Sequence, residues 1–420
     1  MRSLKTIFKY FSIFVDSILT SIDERSIFFV PHFNCIKDKY DIINYKSDNV
    51  LCLFNSILRD PQFVMYKLYI VYFDSTKLGE YKEYCKEFDL SRITFVYQYD
   101  LKLFSSCFSK CKYVFTDEIY NNYKLKKKEQ KIICLNYYPF PYKSDYVKLF
   151  DEQKKKYLYP KEQARINRYY DYLVSTSDLS SIAISQAEPF YYEKCVTLGF
   201  PRTGIFYKDN ASLRERVISL FPFEVNKIFV YVPTHRDYEN KSRQLYDKNS
   251  RKRTIWGYEP KENIEKLEQF LHDEKTIIIA KIHPVQAREI LDVQKSDRIL
   301  TYHDVVSKLT ISLNELMAIS DAMITDYTSA VFDYLMSDKP IIYYHFDIEK
   351  YNNTRGFFIN PMTPLCAGDT CYNLLELTDS LKEIIEGKDN YREKRKFILD
   401  LLITYQDANA EERIKKYFFG

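Results

Sequence analysis

The chain has 420 residues, and its 62 basic and 58 acidic residues leave a net charge of only +4, a balance that does not indicate a nucleic-acid-binding protein. Its 9 cysteines include no C-x-x-C pair, so neither a zinc site nor a disulfide framework is indicated. Only 8 residues are glycine, and their spacing excludes the G-x-G-x-x-G dinucleotide fingerprint, while Ile205 and Phe206 after Gly204 exclude a P-loop. If the protein binds phosphate, it does so without a glycine-rich loop.

Apolar residues recur every three or four positions in residues 1–22 and predict an amphipathic helix. Asp16 interrupts the apolar stretch and no small-residue cleavage site follows, which argues against a signal peptide. The stretch is also too short and too polar to span a membrane. Two interpretations remain open: a first core helix, or a basic helix that rests on an anionic membrane surface.

Beyond this helix, short β-branched and aromatic runs alternate with helical patterns, which is typical of an α/β protein with parallel strands. The strands predicted in the first half are Ser26–Pro31, Asn49–Phe54, Lys67–Phe73, Arg92–Tyr97, Lys112–Thr116 and Lys131–Leu135, and a helical stretch follows over 143–172. The strands predicted in the second half are Lys227–Val232, Thr276–Ile282, Ala322–Thr325 and Pro340–Tyr344. The helices predicted there are Asn263–His272, Leu313–Ile319, Ser329–Met336, Leu374–Ile385 and Tyr391–Thr404.

Two α/β halves of similar length predict two Rossmann-like domains that face each other across a cleft. We place the amphipathic helix at 1–22, the N-terminal domain at 23–205 and the C-terminal domain at 206–420. A dense charge run, Lys124–Lys131, precedes the last strand of the first half. It is either solvated surface or a patch that faces a membrane or a polyanion.

The segment Ser320–Tyr344 predicts a phosphate site built without glycine. A strand ends at Thr325, and a helix begins just after it, with Asp326 or Thr328 as its N-cap. The free N–H groups of the helix start, with the hydroxyls of Thr328 and Ser329, would bind phosphate, and Asp333 would reach a ribose hydroxyl. In the alternative, Asp326 and Thr328 only cap an ordinary helix.

Three further segments carry groups that bind anions or move protons. Pro284 keeps His283 extended at the end of a buried strand, where it could act as a general base or a phosphate ligand. Thr234 and Arg236 follow the strand that ends at Val232, and Arg202 lies in the turn LGFPRTG. Each of these has a structural alternative, such as a core histidine or a surface Arg–Asp pair. No D-x-D tripeptide occurs, so we expect no metal ion and no cofactor, with helix ends, Arg and His neutralising the leaving group.

The segment SDAMITDYTSAVFDYLMSDKPIIYYHFD resembles the signature of the CDP-glycerol glycerophosphotransferases, the teichoic-acid and capsule polymerase and primase family. The segments LGFPRTG, YVPTHRD and IIIAKIHP resemble the other family motifs in order and spacing, and the resemblance covers roughly 175–420. It implies an α/β GT-B-like architecture, in which the N-terminal domain lies on the acceptor side and the C-terminal domain binds the CDP donor. It also implies that His283 and the start of the helix at Thr328 and Ser329 hold the diphosphate or assist its departure. We assign catalysis to His283, and we assign the binding of the donor diphosphate and nucleotide to one set of residues: Arg202, Thr234, Arg236, Asp326, Thr328, Ser329 and Asp333.

One segment departs from the family pattern. Where the family has L-W-H-G-T-P-x-K, whose His is a candidate general base, this chain has Asn136, Tyr137 and Tyr138. A tyrosine with an ordinary pKa of about 10 is a poor base at neutral pH. Another residue, for which we name His32, would then deprotonate the acceptor, unless the donor and acceptor differ from the family's usual pair.

The resemblance implies an enzyme that transfers an alditol phosphate from a CDP-alditol, its substrate, to a hydroxyl of a lipid-linked cell-surface glycan and releases CMP. It would work in the cytoplasm as a peripheral protein on the inner face of the cell membrane, without nucleic acid as a partner. A GT-B glycosyltransferase that uses a nucleotide sugar, and a non-catalytic subunit of glycan assembly, are the alternatives.

Overall fold

The computed structural model describes residues 19–31, 48–117, 126–135, 150–151, 156–157, 167–187, 191–234, 254–282, 296–354, 356–357, 359 and 362–420. The predicted helix over 1–22 lies outside these residues except for 19–22. The candidate residues His32, Arg236 and His283 and the stretch around Tyr137 also lie outside them. Within the described ranges, no helix is both long and apolar enough to cross a membrane.

Strands and helices alternate through the described residues, as the sequence predicts. The strands are β1 (Asp23–Val30), β2 (Lys67–Tyr72), β3 (Ile93–Tyr97), β4 (Cys111–Thr116), β5 (Lys131–Cys134), β6 (Phe150–Asp151), β7 (Lys156–Tyr157), β8 (Tyr172–Ser175), β9 (Cys195–Thr197), β10 (Lys227–Val232), β11 (Thr276–Ala280), β12 (Ile299–Thr301), β13 (Ala322–Thr325), β14 (Ile341–Tyr344) and β15 (Asp369–Cys371). The helices are α1 (Asn49–Arg59), α2 (Leu78–Tyr84), α3 (Leu101–Lys110), α4 (Asp178–Ala187), α5 (Ala211–Ile218), α6 (Lys261–Asp273), α7 (Tyr302–Val306), α8 (Leu313–Ile319), α9 (Ala330–Tyr334), α10 (Ile348–Thr354), α11 (Leu374–Ile385), α12 (Arg392–Leu402) and α13 (Ala410–Phe419).

The described residues divide into two compact units. Unit 1 comprises those as far as Gly204 together with Asn409–Gly420, and unit 2 comprises Ile205–Ala408. The predicted domain 206–420 therefore differs from unit 2 in its last residues. Helix α13 belongs to unit 1 because its aromatic end packs there. The ring of Phe419 lies 5.0 Å from that of Phe63, and Lys415 Nζ lies 2.6 Å from Asp60 Oδ2.

Each unit contains a parallel sheet with Rossmann strand order. The order is β3-β2-β1-β4-β5-β8-β9 in unit 1 and β12-β11-β10-β13-β14-β15 in unit 2. Both sheets have buried central strands of Ile, Val, Phe and Tyr, which is the composition that parallel strands covered on both faces require. In each sheet the strand order reverses beside the first strand, between β1 and β4 and between β10 and β13. The fold is the predicted α/β class with two Rossmann-like units.

Two predicted elements are wrong. Asn49–Phe54, predicted as a strand, is the start of α1, whose first turn is capped by Asp48 through a 2.6 Å bond from the Leu51 N–H. The apolar run is buried on a helical stripe that includes Val50, Leu53 and Ile57. The predicted helical stretch 143–172 is wrong in part. Residues 167–169 are helical, but the other described residues include the antiparallel pair β6 and β7 and the start of β8.

Candidate functional site

The end of the unit 2 sheet at which strand order reverses is the place where open α/β folds bind their ligands. Strands β10 and β13 are neighbours there, with Val232 paired with Thr325. The hydroxyl of Thr325 donates to the Val232 carbonyl at 3.1 Å, and this closes the two strand ends against each other. The residues that follow, at 233–234 and 326–329, therefore meet at one edge.

Asp326 joins the two strand ends. Its Oδ1 accepts from the backbone N–H of Thr234 at 2.8 Å and from the Thr234 hydroxyl at 2.6 Å, and it also accepts from the Tyr327 N–H. Asp326 is only 1% exposed, and its buried carboxylate holds the loop after β10 against the loop after β13 through these hydrogen bonds. The structure thus brings together two residues that the sequence predicts for one site, Thr234 and Asp326.

The predicted capping of the following helix by Asp326 or Thr328 is wrong. The N-cap of α9 is Ser329, whose side chain makes no capping bond. The Asp326 carboxylate accepts from Thr234 instead of capping the helix. Thr328 Oγ1 accepts from the Ala330 N–H at 3.4 Å, and both Thr328 and Ser329 are half-buried. Their hydroxyls lie at the strand edge where a phosphate site is predicted, and phosphate contact stays a prediction.

Asp333, predicted to reach a ribose hydroxyl, lies on the inner side of α9. It is 3% exposed, and its Oδ2 accepts from Asn314 Nδ2 of α8 at 3.3 Å. The carboxylate therefore ties α9 to α8, and ribose binding by Asp333 stays a prediction.

An aromatic layer behind the site escaped the sequence analysis. The ring of Tyr327 stacks on His345, with centroids 5.0 Å apart, and on Tyr351 at 4.1 Å. The Tyr327 hydroxyl donates to Asp347 Oδ1 at 3.2 Å, and His345 Nε2 lies 3.4 Å from the Asp326 carbonyl. These contacts of Tyr327 and Asp326 fix the loop after β13 against the residues that follow β14. The signal that could have found it is the polar pair His345 and Asp347 directly after β14.

At the end of the next strand, β11, the last described polar side chain is Lys281. Its Nζ lies 5.2 Å from the centroid of the Tyr302 ring, a cation–π contact. Sequence reasoning named His283, two positions further on and outside the described residues, but missed this lysine. Lys281 adds a positive charge to the same sheet edge.

The equivalent place in unit 1 carries a second polar group. Asp117 follows Thr116 at the end of β4 as Asp326 follows Thr325 at the end of β13, and the Asp117 N–H donates to the Val30 carbonyl of β1 at 3.3 Å. Burial, with Asp48 beside it, raises the pKa of the Asp117 carboxyl well above its ordinary value, and the charge of Arg202 opposes that shift. Arg202, predicted to bind the donor diphosphate, belongs to this unit.

The lysine run Lys124–Lys131 is partly internal to unit 1. Lys126 Nζ lies 2.7 Å from Asp171 Oδ2, and Lys127 Nζ donates to the carbonyl of Thr20. Lys128 is exposed. Two of the lysines in the described part of the run therefore hold unit 1 together. Over the residues that the structure describes, no group of three or more His, Cys, Asp or Glu side chains is arranged to hold a metal ion.

A family model described as CDP-Glycerol:Poly(glycerophosphate) glycerophosphotransferase matches residues 41–420. Among curated proteins, the teichoic acid glycerol-phosphate primase of Bacillus subtilis is 26% identical over 250 residues, which are 59% of this chain and 57% of the primase. The teichoic acid glycerol-phosphate transferase of Staphylococcus aureus is 29% identical over 257 residues, 60% of each chain. The ribitol-phosphate polymerase TarL of the same species is 26% identical over 242 residues, 55% of this chain and 39% of TarL. The chain thus spans 39% to 60% of these relatives.

Solved structures agree with the fold. The wall teichoic acid polymerase TagF superposes with a TM-score of 0.71 at 19% identity, over 94% of this chain and 89% of that one. The UDP-GlcNAc 2-epimerase of Neisseria meningitidis superposes with a TM-score of 0.50 at 10% identity, over 93% and 98% of the two chains. At such identities the likeness shows the GT-B-like fold alone.

Proposed function

Because the chain belongs to the CDP-glycerol:poly(glycerophosphate) glycerophosphotransferase family, we propose that it transfers an alditol phosphate, such as glycerol phosphate, from a CDP-activated donor to a hydroxyl of a lipid-linked cell-surface glycan. The observation that carries the proposal is the family match over residues 41–420. The curated relatives, which are named as primases, transferases and polymerases of teichoic acids, support it. So does a TagF variant that is described as soaked with CDPG.

In the proposed reaction, the acceptor hydroxyl oxygen attacks the phosphorus that bears the alditol. A new P–O bond forms there, and the bond from this phosphorus to the oxygen bridging it to CMP breaks. CMP leaves with the electron pair, and the hydroxyl proton passes to a base. Charge grows on the phosphate oxygens, so the protein must supply hydrogen-bond donors and positive groups.

Unit 2 supports this assignment of the donor. Thr234, Thr328 and Ser329 carry hydroxyls at one strand edge, and the buried Asp326 fixes the loops that bear them. We assign the donor diphosphate to these hydroxyls with Arg236 and His283, and donor binding by Arg202 stays a prediction. We further propose that the acceptor is lipid-linked and that the protein works on the inner face of the cell membrane. Proton abstraction by His32 or His283 stays a prediction.

The test is release of CMP from CDP-glycerol and from CDP-ribitol in the presence of a lipid-linked acceptor. We expect CMP from at least one CDP-alditol, and a lower kcat/KM for Thr328→Val and Ser329→Ala. Ser307→Ala is the matched control, since Ser307 is exposed in the same unit and donates to the Asp304 carbonyl one turn earlier. Turnover of a UDP- or GDP-sugar without any CMP would identify a nucleotide-sugar glycosyltransferase instead. No turnover of any donor, with glycan assembly unchanged in cells that carry His283→Ala, would identify a non-catalytic subunit.

A further inference from the structure

The unit 1 group at the end of β4 is built from buried polar residues that belong to separate segments of the chain. Asp117 is 2% exposed, Asp48 is 3% exposed and Asn49 is fully buried. The group lies where strand order reverses between β1 and β4, in the same topological position as the Asp326 group of unit 2. Most buried polar groups in proteins are hydrogen-bonded, so the partners of these residues show what they hold.

Asn49 holds Arg202 through the backbone. Its Oδ1 accepts from the Arg202 N–H at 3.1 Å, and its Nδ2 donates to the Leu135 carbonyl at the end of β5 at 2.8 Å. One side chain therefore connects the start of α1, the end of β5 and the turn that carries Arg202. The guanidinium of Arg202 lies over the ring of Phe200, 5.4 Å from its centroid.

Two buried carboxyls fix the first turn of α1, which begins at Asn49. Asp48 Oδ1 accepts from the Leu51 N–H at 2.6 Å, and Asp117 Oδ2 accepts from the Val50 N–H at 3.4 Å. The positive charge of Arg202 acts on Asp117 and opposes the rise in its pKa that burial and Asp48 cause. Asp48 and Asp117 therefore hold the helix start whose Asn49 side chain holds Arg202.

We propose that Asn49, Asp48 and Asp117 are positioning residues that hold Arg202 at the switch point of unit 1, so that its guanidinium binds a phosphate group of a substrate. The inference rests on the proposed function, because that function supplies the reaction in which the phosphate takes part. Arginine suits this task because its planar fork binds phosphate through two parallel hydrogen bonds. The phosphate belongs either to the CDP donor or to the phosphate-bearing end of the acceptor, and kinetics distinguish the two.

The test is a double-mutant cycle of Arg202→Ala, Asn49→Ala and the double variant, with KM measured separately for CDP-glycerol and for the acceptor. We expect each single variant to raise one of the two KM values about tenfold, the equivalent of one lost hydrogen bond to a charged group. The double variant should be no worse than Arg202→Ala, since Asn49 acts through Arg202. The substrate whose KM rises is the one that carries the phosphate. Fully additive effects, or no change in either KM, would overturn the proposal.

Asn55→Ala is the control, because Asn55 lies on the same helix and its Oδ1 accepts from the exposed Arg59 side chain. A second arm compares Asp117→Asn, which keeps an oxygen that can accept from the Val50 N–H, with Asp117→Ala, which loses it. We expect a wild-type KM for the first and a raised KM for the second; equal values would contradict the role of the pair. Titration of the same proteins with inorganic pyrophosphate gives a Kd for each, and the double-mutant cycle of Arg202 and Asn49 is then calculated from these Kd values. A wild-type protein that releases no CMP thus refutes the proposed function, and additive Kd changes refute the positioning role.

Discussion

Asp326 Oδ1 lies 2.6 Å from the hydroxyl oxygen of Thr234 and 2.8 Å from its backbone nitrogen, so a single carboxylate joins the ends of β10 and β13. The two residues are 92 positions apart in the chain. This bond places the loop that carries Thr328 and Ser329 beside Thr234, just after the end of β10. The geometry of the proposed donor site therefore depends on Asp326 even if Asp326 never contacts the donor.

We predict that Asp326→Ala lowers kcat/KM for CDP-glycerol by about 10- to 100-fold, because buried donors of Thr234 and Tyr327 lose their acceptor at about 1–3 kcal/mol. Asp326→Asn keeps Oδ1 as an acceptor and should lose less. The kcat/KM of both variants is measured from CMP release, and thermal unfolding of each variant is measured in parallel. Asp379→Ala, an exposed aspartate of α11, is the control and should match wild type. Wild-type kcat/KM for Asp326→Ala would show that the bond does not shape the site.

Gly368 lies where no side chain fits. A Cβ at this position would come within 1.8 Å of the Ile341 carbonyl oxygen, which belongs to the backbone of β14. We predict that Gly368→Ala destabilises unit 2 by about 3 kcal/mol or more, since the clash is with a strand rather than with a flexible side chain. Urea unfolding followed by fluorescence reports on this unit, because Trp256 is the single tryptophan of the chain and lies there.

The comparison for Gly368 is Gly387→Ala. Gly387 has a φ of +82°, but a Cβ at this position would meet no heavy atom within 4 Å, so the substitution costs only the left-handed backbone strain of about 1 kcal/mol. If the two variants unfolded at the same urea concentration, the close approach to β14 would not matter. The pair thus separates steric exclusion from backbone conformation.

The sequence predicted nine strands of the two sheets, β1 to β5, β10, β11, β13 and β14, because parallel strands are buried on both faces and appear as unbroken apolar runs. It missed β8, β9, β12 and β15, which are only three or four residues long. The same reasoning failed at 49–54, where a helix buries a run of similar composition. Only Asp48, the residue that caps this helix, separates the two interpretations. The sequence also named Thr234 and Asp326 from their positions after strand ends. It could not show that Asn49 contacts Arg202 or that Asp117 contacts the start of α1, since these residues come from three separate segments of the chain.

Arg395 is the most buried charged residue of α12, with 1% exposure, and it binds Asp389 through Nη1 at 2.7 Å and the Asp338 carbonyl through Nη2 at 3.3 Å. Its hydrogen bonds lower the pKa of Asp389. We predict that Arg395→Met destabilises unit 2 by about 1–3 kcal/mol, because it removes the hydrogen bonds of the buried guanidinium to Asp389 and to the Asp338 carbonyl. Arg392→Ala, in an exposed pair with Asp338, should destabilise unit 2 less.

The pH dependence of this effect follows from the direction of the shift. A carboxyl whose folded pKa is lowered stabilises the fold above its ordinary value of about 3.9 and loses that contribution as the pH falls through the folded pKa. The difference between wild type and Arg395→Met in urea unfolding should therefore shrink below about pH 4. A difference that stays constant into acid would mean that packing of the arginine stem, rather than its charge, stabilises α12.

The opposite dependence is predicted for Asp117, whose pKa burial raises well above the ordinary value. The folded state then holds a proton that the unfolded state releases above about pH 4, so this group stabilises unit 1 fully below that pH and progressively less as the pH rises towards the folded pKa. The slope of the unfolding free energy approaches about 1.4 kcal/mol per pH unit.

The pH at which this stabilisation is fully lost depends on the groups around the Asp117 carboxyl. These are Asp48, Arg202 and Cys52, and Glu411 of α13 in turn acts on Cys52. Asp117→Asn cannot titrate and should lack the slope, which chemical unfolding at pH 5 and pH 8 would measure. Parallel pH profiles for the two proteins would mean that the pKa of Asp117 is not raised in the folded state.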